Sequence, residues 1–152
     1  MLDSNTTIMR KITVCMMFLF LGLCMTAQTK NDHYNFQEHQ VDNFIKEVYG
    51  DQAQKIVFSN KNLYSAFKKL LLERMQIVRQ AEIQGKKVPK ITEEGMFDTY
   101  ISGLQHDTSF NVNNFNPLKY KLVFFDVNAL KVYRIDNTDY VLIIQPQSKL
   151  QN

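Results

Sequence analysis

Cysteine is scarce: the 152-residue chain has two, Cys15 and Cys24, both near its start. Everything after them lacks disulfides, thiol nucleophiles and thiolate metal ligands. Tryptophan is missing, and three prolines and five glycines are the only strong punctuation. There is no phosphate loop, no Gly-x-Gly-x-x-Gly, no His-Glu-x-x-His and no calcium-loop pattern, so none of the chemistries those motifs serve has a footing here. No internal repeat is visible. Charge of one sign is lacking too. With 18 Lys+Arg against 15 Asp+Glu, the net charge of +3 gives no strong field for nucleic acid.

What is present begins with Arg10-Lys11, an apolar stretch over residues 14–25, and Thr26-Ala27-Gln28. A basic start, an apolar core of about 7–15 residues and a small residue before the cut define a secretory signal peptide. The stretch is too short for a spanning helix, which needs about 20 residues. Residues 1–28 are therefore expected to be a cleaved leader. Met9 is an alternative start, because Met9-Arg10-Lys11 is a compact basic region and Asp3 is awkward in one. A lipoprotein leader ending at Cys24 would want a small residue before the cysteine, and Leu23 is large. Cleavage removes both cysteines and leaves an exported chain, periplasmic or extracellular, of a size for one domain.

Residues 29–40 are polar and read as a flexible mature N-terminus, ahead of a single α+β domain over 41–152. Val41, Phe44, Ile45, Val48 and Tyr49 recur at helical spacing, with Gly50 as the stop. Residues 52–58 lean to helix. Ser59 or Asn60 caps one long amphipathic helix over residues 61–84, ending at Gly85, with Leu63, Phe67, Leu70, Leu71, Ile77, Val78 and Ala81 on one face. Residues 86–118 hold Pro89, Gly95, Gly103, Pro117 and several asparagines; they read as a long loop whose apolar residues pack over the core. Residues 119–125, 130–135 and 140–145 are β-branched and aromatic and predict a C-terminal three-stranded antiparallel meander. Helices followed by strands give the α+β class. Residues 121–125 form a short, apolar, β-prone run that aggregates if exposed, with Lys119, Lys121 and Asp126 as charged gatekeepers.

Arg74 is the sharpest chemical feature. It falls in the centre of the long helix's apolar face, where a guanidinium cannot stay unpaired. It reads first as a structural clamp on loop carbonyls or on a carboxylate, with Asp98, Asp107, Asp126 and Asp136 as candidates. The functional alternative is a pocket arginine that holds a ligand carboxylate or phosphate with its fork. Lys61, Lys68, Lys69 and Arg79 lie on the opposite side of the same predicted helix, as a solvated face or a contact for anionic headgroups. His33 and His39 fall short of the four ligands of a structural metal site. His106-Asp107 with Ser102 or Ser109 lacks the Gly-x-Ser-x-Gly elbow of a hydrolase, and Glu93-Glu94 with Asp98 reads as a short capped helix. No catalytic residue, metal or cofactor is assigned.

Val48-Tyr49-Gly50, Leu70-Leu71-Leu72-Glu73-Arg74, Phe115-Asn116-Pro117-Leu118-Lys119-Tyr120, Tyr133-Arg134-Ile135-Asp136-Asn137-Thr138 and Ile143-Ile144-Gln145-Pro146-Gln147 together resemble small secreted proteins of Bacteroidota, especially flavobacteria, whose function is unknown. Proteins of that kind sometimes carry the name dihydrolipoamide dehydrogenase. That activity needs a dinucleotide-binding glycine motif, a redox cysteine pair and two nucleotide domains, all missing here. The resemblance implies an exported protein without a catalytic motif. The expectation is a non-enzymatic binding protein with an unknown protein or envelope partner and no nucleic acid. A ligand pocket or enzyme at Arg74 is the alternative, and membrane-surface contact through the lysines ranks below both.

Overall fold

A glutamine organises the first helix. The Gln40 side-chain oxygen accepts the Gln37 amide at 2.6 Å, and its amide nitrogen donates to the Asn113 carbonyl at 2.7 Å. Helix α1 (Glu38–Tyr49) then buries Val41, Phe44, Ile45, Val48 and Tyr49, the stripe that the helical spacing predicts. Gly50 ends it at φ 54, a region L side chains rarely adopt, and a Cβ there would stand 3.1 Å from Ile101. Residues Gln54–Phe58 form a wide, π-type helical turn. Asn60 caps α2 (Lys61–Lys69), its side chain accepting the Leu63 amide at 3.1 Å.

This computed structural model describes residues 33–79, 88–97, 101 and 103–150. Asp32–Asn152 make up one compact unit; the other, Met1–Asn31, falls outside the described residues, and the expected leader with it. Among the described residues no helix is long and apolar enough to cross a membrane.

The fold is α+β, with a four-stranded antiparallel sheet. Its strands are β1 (His33–Asn35), β2 (Met75–Arg79), β3 (Lys131–Arg134) and β4 (Tyr140–Ile144), in the order β1-β2-β4-β3. Central β4 pairs Leu142 with Ile77 on one side and with Tyr133 on the other. Those three side chains join Val41, Ile45, Val48, Leu70 and Leu71 in the core. The long connection after β2 packs onto the same core through Ile91, Phe115, Leu118, Tyr120 and Leu122.

Three expectations are corrected. The predicted helix over 61–84 stops early: α2 widens into a π-type turn at Leu70–Arg74, and the chain enters β2 directly at Met75. Residues 75–79 fit either period, and pairing with β1 and β4 on both edges favours the strand. Residues 80–85 of that prediction fall outside the described residues. The second correction concerns residues 119–125, which are not a strand. Their backbone makes a single bridge, Met96 with Tyr120, and β2 takes the place beside β4 instead. The third concerns residues 33–40, expected to be flexible, which supply β1 and the first turn of α1.

Candidate functional site

Arg74 is the last residue of the π-type turn and is 4% exposed. Its Nε donates to the Gln145 carbonyl at 3.0 Å, and its Nη2 donates to the carbonyls of Gln145 and Phe124, both at 2.8 Å. The Gln145 amide returns a bond to the Arg74 carbonyl at 2.8 Å. Phe124 and Gln145 both lie outside the four strands. Burial lowers the guanidinium's pKa, yet an arginine stays charged in proteins. The candidate carboxylates are therefore corrected: Arg74 holds carbonyls, while Asp107, Asp126 and Asp136 have other partners and Asp98 lies outside the described residues. A concavity of about 360 Å³ touches Arg74, Glu73, Gln76 and Gln145. The Nε/Nη2 fork is taken by Gln145 and the second Nη2 proton by Phe124, so neither edge of the guanidinium can offer an anion both of its donors without breaking a carbonyl bond.

The clamp fixes the start of an unusual segment. After Phe124 the chain turns at Asp126, whose Oδ1 accepts the Asn128 and Ala129 amides at 2.9 and 2.8 Å. Its Oδ2 pairs with Lys131 at 3.0 Å. The Ala129 amide first, then Lys131 and the Asn128 amide, lower the Asp126 pKa to about 2. The Gln147 and Ser148 amides tie back to the carbonyls of Asp126 and Val127, each at 3.1 Å. This anchored segment nevertheless leaves Val123, Phe125, Val127 and Leu130 at 45–52% exposure, the large exposed hydrophobics of the described residues. Beside it lies an apolar pocket of about 200 Å³ lined by Tyr49, Leu63, Phe67, Phe97, Phe124 and Phe125.

A second buried cation organises the opposite chemistry. Asn116 starts the Pro117–Lys119 turn by accepting the Leu118 amide at 3.0 Å. Its side-chain nitrogen donates to the Phe44 carbonyl at 3.0 Å and to Glu47 at 2.9 Å. Lys119, 7% exposed, then meets Glu47 at 2.5 Å and Asp107 at 2.6 Å. Burial alone would lower the Lys119 pKa, but the hydrogen bonds to Asp107 and Glu47 together outweigh it and the pKa is raised. The neighbouring Tyr120 hydroxyl is raised as well, by burial first and then by Asp107. Asp107, Asp136 and Tyr120 line one cavity of about 330 Å³, so the fold brings two of the predicted site residues together.

The predicted basic face does not assemble. Lys61 and Lys69 are exposed on α2, but Lys68 pairs with Glu38, and Arg79 belongs to β2, where it stacks over Tyr140 at 5.9 Å. The four shared a face only on a helix that continues past Arg74, and this one does not. His106 lies against the Tyr120 ring, with centroids 5.4 Å apart. Among the described residues no three His, Cys, Asp or Glu side chains come together as metal ligands.

Sequence reasoning missed Lys119, Glu47 and Tyr120. The available signal was Asn116-Pro117, a capped turn just before Lys119, which already argued against a strand starting there. No protein-family model, curated protein or solved structure matches the chain.

Proposed function

We propose that the chain is an exported, non-enzymatic binding protein that meets a protein partner through the apolar ridge at residues 123–130. The carrying observation is the concentration of Val123, Phe125, Val127 and Leu130 in one firmly anchored segment beside an apolar pocket. Each is about half exposed, so leaving it there forgoes roughly half of the ~1.5–3 kcal/mol that burying a large apolar side chain contributes. Exposed apolar groups gathered in one place, rather than scattered, mark interaction surfaces. The Arg74 clamp and the Asp126 turn hold the ridge in shape before binding, which lowers the ordering cost of association.

A protein partner suits the ridge better than a bilayer. Asp126 stands in its middle with a pKa of about 2, so it is ionised at neutral pH, and a carboxylate is expensive in hydrocarbon. Export rests on the leader-like residues 1–28.

Site-specific photo-crosslinking in producing cells tests this reading. A crosslinking residue at Phe125 or Val127 is expected to capture one discrete protein, and one at exposed Asp51 is expected to capture none. Equal adducts at all three positions, or none on the ridge, would contradict it.

A further inference from the structure

We propose that the cavity shared by Asp107, Asp136 and Tyr120 binds a small organic cation, a protonated amine on a flat apolar body. This site is independent of the ridge. The two carboxylates are not equivalent. Asp107 is matched by Lys119, whereas Asp136 accepts only the Thr92 amide, at 3.3 Å, and has no ion pair among the described residues. One further acceptor, Asp107 Oδ2, is buried without a hydrogen-bond partner and adds to the negative potential there. An anion would face two carboxylates. A neutral ligand would cover Asp136 without compensating it.

The walls favour a cation that also has an apolar side. His106, Tyr120, Phe115, Phe110 and Tyr140 form a continuous run of rings with successive centroids 5.4, 5.9, 5.5 and 5.4 Å apart. Tyr120, Phe115 and Phe110 from that run line the cavity. Ring faces attract cations, and this run already holds one at its far end, Arg79 over Tyr140. The Tyr120 phenol is neutral at physiological pH, as an ordinary tyrosine is, so it adds no competing charge. The volume of about 330 Å³ lies at the small end of the range for ligand sites, roughly 300–1,000 Å³.

Benzylammonium, benzyl alcohol and benzoate share one shape and differ in charge, so titrating the intact protein with each separates the contributions. NMR titration at neutral pH should show benzylammonium binding, benzyl alcohol about tenfold weaker, and benzoate not bound. Amide shifts should centre on Thr92 and Asn137 and leave residues 123–130 unmoved. Asp136→Asn should weaken benzylammonium by about tenfold, and Phe110→Leu, which keeps the carboxylate, by a few fold. The second variant carries the test if the first does not fold. The proposal is overturned if benzylammonium does not bind, if benzyl alcohol binds equally well, if a folded Asp136→Asn keeps its affinity, or if the shifts fall on the ridge.

Discussion

Arg74 and Lys119 are buried about equally, at 4% and 7% exposure, and the fold uses them in opposite ways. Arg74 binds the carbonyls of Phe124 and Gln145, which are neutral and do not titrate. Lys119 binds the carboxylates of Glu47 and Asp107 as ion pairs. A planar fork suits two carbonyls brought together from distant parts of the chain; a compact ammonium suits two carboxylates converging on a point. The first arrangement holds shape at any ordinary pH. The second creates a polar centre whose strength depends on protonation. A buried cation is therefore informative only once its partners are known.

Removing each cation separates the two uses. Arg74→Met leaves the Phe124 and Gln145 carbonyls without their donor. At about 1–3 kcal/mol for an unmade buried bond, urea unfolding should show a loss of about 3 kcal/mol. Arg74→Lys should recover only part of it, since one ammonium lacks the fork. Lys119→Met should cost less, about 2 kcal/mol, because Glu47 is 40% exposed and water screens it. Adding Glu47→Gln to Lys119→Met should restore part of that loss, whereas it should do nothing for Arg74→Met.

Alkaline pH sharpens the same contrast. The folded pKa of Lys119 lies above its ordinary 10.5, so its contribution is complete below that value and is lost as pH rises through the folded pKa. Tyr120, raised from 10.0, acts in the same direction. Unfolding measured across this range should show a falling alkaline limb, shallower in Lys119→Met and unchanged in slope in Arg74→Met.

Asp126 gives an acid-side counterpart within the ridge. Its folded pKa of about 2 lies below the ordinary 3.8, so its contribution is present above 3.8 and disappears as pH falls through about 2. A carboxylate NMR titration should find that midpoint, and Lys131→Met should move it upward while the Ala129 and Asn128 amides keep it below 3.8. The smallest effect is expected at the ridge itself: Phe125→Ser should cost about 1 kcal/mol, because the ring is already 45% exposed.

The parts of the fold legible in the sequence were those with a clean period and clear punctuation. The stripe of α1 ended by Gly50 was one, and the β3–β4 pair around its Asp136–Asp139 turn was another. The helix-to-strand change at Met75 was not, since no glycine, proline or asparagine marks it and Ile77-Val78 suit both states. Partners on both edges decided the matter, and partners are a tertiary fact. Arg74 was visible as an apolar-face charge, but the carbonyls it holds come from residues 50 and 71 positions away. The exposure of Phe125 was hidden for a related reason: a strand over 119–125 would have placed alternate residues inward, whereas the anchored loop turns four large side chains outward.

Amide hydrogen exchange in Arg74→Met, compared with the native chain, tests most directly whether this residue is a brace for the ridge. If it is, exchange accelerates at residues 123–128 and at Gln147 and Ser148, whose amides bond to that segment, while α1 keeps its protection. Unchanged exchange at those positions in a folded variant would contradict the brace.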